Sequence, residues 1–274
     1  MRHATVIGGR GFVGGALLRR LAADGWVCQI VGRSDSWPTA GEPAGTVFYC
    51  AGLTADFLQR PFDTVEAHVS SLARALQAPG LNRLIYVSST RLYDDLPGSD
   101  VASEQIALPV RPEYPRHLYD LTKLAGESLC HVAGAGRACV ARLSSVYRET
   151  GNDDGFLGPL LQRVANVPRG SEIVVESSPH LSRDYIHIDD VVEALLAMGE
   201  PEASGTFNVA SGSNLRNHDL AAMLMSETGR RLVFTGQQAG RDYARVDVTR
   251  LRRELDIDPR PVSGALSNWF ATLS

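Results

Sequence analysis

Short apolar runs alternate with longer amphipathic stretches along most of this chain. Ala4-Thr5-Val6-Ile7 reads as a buried strand, Ala16 to Leu21 repeats its apolar positions with a period near 3.6, and Val27 to Val31 is apolar again. Val47-Phe48-Tyr49-Cys50 follows, then a helix from about Thr64 to Gln77 with Val65, Val69, Leu72 and Leu76 on one stripe. Leu84-Ile85-Tyr86-Val87 is a strand that runs out into Ser88, Ser89 and Thr90. His117 to Glu127 opens an amphipathic helix, Ala138 to Leu143 is a strand, and Phe156 to Val164 reads as a helix. Gly205 to Gly212 returns a strand to the sheet, and Leu220 to Thr228 is a further helix. Strands separated by helical patterns predict an α/β fold with a parallel sheet covered on both faces.

Two stretches break the rhythm. Between Arg33 and Val47 lie only thirteen residues, rich in Pro, Gly and Ser, about the length a crossover needs for its helix alone. The usual third strand of a doubly wound sheet is therefore expected to be absent or vestigial. Asp94 to Arg116, with Pro97, Pro109, Pro112 and Pro115, reads as a long loop bordering the helix that starts at His117, and loops of that length are functional or mobile as a rule.

Composition narrows the function classes. The 274 residues, 44% of them hydrophobic, suffice for a real core. A formal charge of −4 with no long Lys/Arg block argues against nucleic acid or an anionic membrane as partner. No apolar run approaches ~20 residues, and Met1-Arg2-His3 leads straight into a strand, so a cytoplasmic protein is expected. The four cysteines are scattered without a C-x-x-C pair and the seven histidines show no ligand spacing, so reduced thiols and no metal are expected.

The first chemistry-bearing stretch is Gly8-Gly9-Arg10-Gly11-Phe12-Val13-Gly14, between the first strand and the first helix. Gly9, Gly11 and Gly14 satisfy G-x-G-x-x-G, and Gly8, Gly11 and Gly14 satisfy G-x-x-G-x-x-G. Missing side chains let backbone N–H groups and the positive helix end approach a pyrophosphate. At the end of the second strand an acid would grip a ribose 2′-hydroxyl, whereas an arginine accommodates a 2′-phosphate. Arg33 and Ser34 therefore point to NADP with Arg10 as helper, while Asp35 keeps NAD open. Cys50-Ala51-Gly52 closes the next strand with small residues suited to lie under a nicotinamide ribose.

Tyr119 and Lys123 are four apart and share one helical face. Bringing a phenol from a pKa near ~10 to ~7 takes roughly 4 kcal/mol. An ammonium at about 5 Å supplies on the order of 3 kcal/mol at an effective dielectric of ~20. The pair alone is weak evidence, because aromatic and basic residues meet at this spacing in many helices. Its company is what makes it specific.

Taken together and in order, the glycine turn, the small-residue strand end, Val87-Ser88-Ser89-Thr90-Arg91-Leu92-Tyr93 and Leu118-Tyr119-Asp120-Leu121-Thr122-Lys123 resemble the extended short-chain dehydrogenase/reductases, the NAD(P)-dependent sugar-nucleotide epimerase/dehydratase family. The resemblance implies Ser89, Tyr119 and Lys123 as catalytic residues, with Lys123 also holding the nicotinamide ribose. It implies cofactor contacts from Gly8, Arg10, Gly11, Phe12, Val13, Gly14, Arg33, Ser34, Cys50, Ala51, Gly52 and Val87. Ser182-Arg183-Asp184-Tyr185-Ile186-His187 is similar to a family segment in which the arginine binds a nucleotide diphosphate. The residues' own alternative for Arg183 is a structural pair with Asp184 or Asp189. Ser89, Thr90, Arg91, Ser145 and Arg183 are the implied substrate contacts.

The chain also departs from the family pattern. Thr90 and Arg91 stand where dehydrating members have an Asp-Glu pair, which disfavours elimination. His68 stands where an asparagine is common, Arg148 in a glycine place, and Gln237 in an arginine place that Arg241 or Arg245 could fill.

The expectation is a Rossmann domain over 1–147, with 184–210 returning to it, and a smaller discontinuous substrate domain over 148–183 and 211–274. The function implied is hydride transfer with NADP, or NAD, on a nucleotide sugar, ketoreduction ahead of epimerisation. The implied assembly is a homodimer pairing helices near 64–77 and 119–133. A small-carbonyl reductase and a silent cofactor-binding sensor or scaffold are the other readings.

Overall fold

The structure is a computed structural model that describes residues 2–32, 35, 37, 44–150, 155–237 and 242–273. Strand β1 (His3–Ile7) buries four of its five side chains and ends at Gly8, whose φ of 81° turns the chain back. Helix α1 (Phe12–Ala23) begins at once, with Gly11 as an N-cap that has no capping side chain. β2 (Val27–Val31) and β3 (Gly45–Tyr49) both pair with β1, in parallel. Among the described residues no strand lies between them and β2 is the edge strand, while most of the thirteen-residue stretch expected to lack a third strand lies outside the described residues.

The next helical stretch is not uniform. α2 (Pro61–Val65) and α3 (Ser71–Leu76) are joined by a widened π turn over Glu66–Ser70. That turn turns carbonyls toward the sheet. Ala67 accepts from the Tyr49 hydroxyl at 2.6 Å and His68 from the Tyr86 hydroxyl at 3.3 Å, the kind of local use that π turns are kept for. β4 (Leu81–Ser89) leads into a 3₁₀ turn, Thr90–Tyr93. The expected loop after it is not wholly irregular, because β5 (Val101–Ala102) buries Ala102 within it. Helix α4 (His117–Ala133) packs against β4 through Gly126, where an added Cβ would come within 2.5 Å of the Tyr86 hydroxyl.

β6 (Ala138–Leu143) is buried at every position, as a central parallel strand must be. β7 (Ser145–Tyr147), α5 (Leu157–Ala165), β8 (Glu172–Val175), β9 (Ser182–His187) and α6 (Ile188–Met198) follow. β10 (Gly205–Val209) then pairs with β6 and completes a six-stranded parallel sheet, β2-β1-β3-β4-β6-β10. This is the α/β Rossmann sheet. One face, with Phe48, Ile85 and Cys139, packs on α1 and α6. The other, with Tyr49, Tyr86 and Val140, packs on α3 and α4.

The rest of the chain is β11 (Asn214–Arg216), α7 (Asn217–Thr228), β12 (Arg231–Phe234), β13 (Arg245–Val246), α8 (Thr249–Leu255) and α9 (Val262–Ala271). β11, β9 and β7 form a small sheet, β12 pairs with β8, and β13 pairs with β5. A separate apolar core gathers Leu160 and Leu161 of α5, Leu220 and Leu224 of α7, and Leu266 and Phe270 of α9. The cleft between this core and the sheet's carboxyl edge is where the conspicuous side chains meet.

Candidate active site

The glycine turn is packed too closely to carry side chains. A Cβ on Gly8 would lie 2.8 Å from the amide nitrogen of Ala51, and one on Gly14 would lie 2.5 Å from the Gly8 carbonyl. With no side chain capping α1, its first N–H groups face the cleft, as an anion site requires. Gly11, Phe12, Val13 and Gly14 line this cleft of about 390 Å³ together with Cys50, Ala51, Gly52 and Val87. These residues fit the dinucleotide expected of them. A second cavity of about 340 Å³ continues past Gly8 toward Asp35, Trp37 and Arg74. There Asp35 accepts the Gly32 N–H at 2.6 Å, and the Arg10 guanidinium lies 3.4 Å from where a Gly32 Cβ would stand. Arg33 and Ser34 lie outside the described residues.

The same cleft holds Ser89, Tyr119 and Lys123. Spacing by four along α4 puts Tyr119, Lys123 and Glu127 on one buried face. Lys123 donates to the Val87 carbonyl at 2.9 Å, and burial brings its pKa down to about 8. Ser89, at the end of β4, accepts the Arg91 N–H at 3.2 Å and stands with the Tyr119 phenol in the cleft. Burial raises the Tyr119 pKa, and the nearby Ser89 hydroxyl and Arg91 charge oppose that rise. The Arg91 guanidinium sits 4.8 Å over the Tyr119 ring and donates to the Thr54 carbonyl at 3.0 Å.

Thr90 lines the cleft next to Ser89, and on the facing wall are Ser145, Arg183 and Tyr243. Arg183 pairs with Asp94 at 3.1 Å, donates to the Tyr243 hydroxyl at 2.9 Å and stacks 4.1 Å over that ring. Neither acid considered from the sequence is its partner. Asp184 instead accepts the N–H groups of Ser211, Gly212 and Ser213 at 2.9, 2.8 and 3.1 Å, anchoring the turn after β10. Arg148 lies over the Phe12 ring. Arg245 borders a different cavity, with Arg216 and Asp242, and Arg241 lies outside the described residues.

The sequence profile of the NAD dependent epimerase/dehydratase family matches residues 40–210, more than half of the chain. The chain belongs to this family. A dTDP-4-dehydro-6-deoxy-D-allose reductase of Streptomyces bikiniensis is 27% identical over 241 residues, which span 82% of this chain and 74% of that one. A GDP-6-deoxy-D-mannose reductase of Pseudomonas aeruginosa is 27% identical over 205 residues, 69% of this chain and 64% of that one. The structure of RMD from Pseudomonas aeruginosa complexed with NADPH aligns with a TM-score of 0.76 at 23% identity, over 100% of this chain and 97% of that one. MoeE5 in complex with UDP-glucose and NAD aligns with a TM-score of 0.76 at 22% identity, over 98% and 97%.

Around α4 stand His68, a departure from the family pattern, and a charged network that motif reading does not single out. His68 is fully buried, accepts the Leu53 N–H on Nε2 at 3.2 Å and contacts the Thr122 hydroxyl through Nδ1 at 2.8 Å. An accepting Nε2 requires the proton on Nδ1, so Thr122 receives it and donates in turn to the Tyr119 carbonyl at 2.9 Å. Burial holds the imidazole neutral, with its pKa pushed down to about 2. Below Lys123, Glu127 makes a two-armed pair with Arg142 at 3.0 and 2.6 Å and accepts from Ser88 at 2.6 Å. Arg142 reaches Tyr93, whose hydroxyl donates to Asn208. The signal for this network is an arginine inside the apolar run Ala138 to Leu143, since a buried charge demands a partner.

Proposed function

We propose that the protein transfers hydride between NAD(P) and a nucleotide sugar, with ketoreduction ahead of epimerisation. The observation carrying this reading is the convergence of Ser89, Tyr119, Lys123 and Arg183 on one cleft floored by the glycine turn. Bound nicotinamide supplies the hydride acceptor or donor. Ser89 and Tyr119 hold one substrate oxygen, and Tyr119 gives or takes its proton. Lys123 keeps a positive charge at the cofactor ribose. Arg183 offers the planar donors that suit a diphosphate.

The two reductases described above act on nucleotide-linked deoxyhexoses by their names, which supports ketoreduction. The Arg10 guanidinium, reaching from the glycine turn to Gly32 at the end of β2, supports NADP, and Asp35 beside it keeps NAD as the alternative. Thr90 and Arg91 provide no acid–base pair for elimination. In this reading residues 148–183 and 211–274 form the substrate side and the remainder the cofactor side. No helix among the described residues is long and apolar enough to cross a membrane. The four unpaired thiols suit a reducing cytoplasm. Exposed apolar side chains on α2 and α4 support a homodimer through those helices.

Tyr119→Phe tests the assignment. Turnover of a nucleotide 4-keto sugar with NADPH should fall by about 10²–10⁴ while NADPH affinity is kept. A variant that turns over like the parent removes Tyr119 from the chemistry. Cofactor that stays bound through purification, with no net NADPH consumption, would mark an epimerase. One observation favours a second reading, a small-carbonyl reductase: Arg183 is already charge-paired with Asp94. Titration with nucleoside diphosphates decides, since that reading predicts no binding and no effect of Arg183→Ala.

A further inference from the structure

Most charges at the catalytic end of the cleft are held in ion pairs, and Arg116 alone serves Asp94, Asp95 and Asp120. Asp94 is paired with Arg183 at 3.1 Å, Asp120 with Arg116 at 3.2 Å, and Glu127 with Arg142 at 2.6 Å. Arg91 stands apart from these pairs. Among the described residues no carboxylate lies within ion-pair distance of it, and its one side-chain hydrogen bond is the donation from Nη1 to the neutral Thr54 carbonyl at 3.0 Å. Its guanidinium lies beside two neighbouring rings, 4.8 Å from the Tyr119 centroid and 5.6 Å from that of Phe57. The side chain is half-buried and lines the cleft beside Ser89, Thr90 and Tyr119.

A guanidinium packed against aromatic rings, with donors left over and no carboxylate of the described residues within ion-pair distance, is placed to take a planar anion by two parallel hydrogen bonds. Partial removal from water strengthens that attraction relative to an exposed arginine. The Thr90 and Ser89 hydroxyls lie in the same turn and can accept or donate to the sugar beside it. The diphosphate has its own candidate in Arg183 on the facing wall, so the anion at Arg91 belongs to the sugar.

We propose that Arg91 forms a carboxylate subsite, and that the substrates preferred are nucleotide-linked uronic acids, with the carboxylate next to the carbon that faces Tyr119. This rests on the nucleotide-sugar reading above. It concerns only which sugar the site prefers, so it applies to a reductase and to an epimerase alike.

The test is calorimetric titration of the NADP-loaded protein with two matched pairs of probes. UDP-glucuronate is compared with UDP-glucose, and GDP-mannuronate with GDP-mannose, so that each pair differs only at C6. In at least one pair the parent should bind the uronate tighter by about tenfold or more. Arg91→Met should bring that ratio close to one by weakening the uronate alone, and Arg91→Lys should keep part of it, with NADP affinity unchanged in both. Equal affinities within each pair in the parent overturn the subsite while leaving the nucleotide-sugar reading in place. A preference that survives in Arg91→Met overturns it as well. If neither pair binds the parent at all, the nucleotide-sugar reading fails and the subsite fails with it. Because the parent ratio and Arg91→Lys stand without Arg91→Met, misfolding of that one variant does not protect the proposal.

Discussion

Lys123 carries its ammonium on a residue only 3% exposed, with the Val87 carbonyl as its hydrogen-bond acceptor. The unfolded chain holds that proton up to its ordinary 10.5, the folded chain only up to about 8. Between those values the unfolded state binds more protons, so this residue's contribution to stability rises with pH. Below 8 the burial penalty is present in full, on the order of 3 kcal/mol for a depression of this size. Lys123→Met removes the titration. The stability of that variant relative to the parent, from urea unfolding, should therefore be most favourable at pH 7 and decline as pH rises from 8 to 10.5. A difference that stays flat across that range would mean Lys123 does not titrate as its burial demands. Tyr119, Lys123 and Ser89 were legible as candidates because spacing along one helix and one strand end places them. Arg183 was legible as a cleft residue but its partner was not, because Asp94 is 89 residues away in sequence and only the folded chain brings them together. The same holds for Arg91, whose place over the Tyr119 ring depends on how the 3₁₀ turn meets α4.

Elements read well where one periodicity runs unbroken, as in β1, α1, β6 and α4. The π turn at Glu66–Ser70 was invisible because its apolar stripe continues straight through it, and only the phenols of Tyr49 and Tyr86 reveal why the turn widens. β5 was missed because two residues carry no period. What joins elements was legible least, and the Glu127–Arg142 pair shows the cost of that. It ties α4 to β6, and through Ser88 and Tyr93 to β4 and the far end of the turn that follows it. Glu127→Gln leaves a guanidinium buried without its counter-charge, a loss of about 3–5 kcal/mol. The double variant Glu127→Met with Arg142→Met removes both charges and should recover much of that loss. Chemical denaturation of parent, single and double variants measures it. A double variant weaker than the single would show that the network works by hydrogen bonding and shape instead of charge compensation.

At the scale of the whole molecule, the active helix has a second face. α4 lies alongside the α2–α3 stretch, and the pair turns apolar side chains outward: Phe62 is 88% exposed, Val132 81% and Val65 39%. Scattered apolar residues on a surface need no explanation, but large ones gathered on two neighbouring helices do. A second copy related by a twofold axis would cover them with the same helices, since an isologous interface meets itself. Tyr119 and Lys123 project from the opposite side of α4, so an interface there would brace the helix that aims them. Light scattering should give a particle of twice the 29.6 kDa chain mass, and melting should depend on protein concentration. Phe62→Arg combined with Val132→Arg should yield a folded monomer that still binds NADPH, because neither side chain reaches the cofactor cavities. Its turnover should fall if α4 depends on its partner for position and stay unchanged if the monomer holds α4 by itself. A parent that is monomeric at micromolar concentration would leave these apolar residues facing water and end the dimer reading.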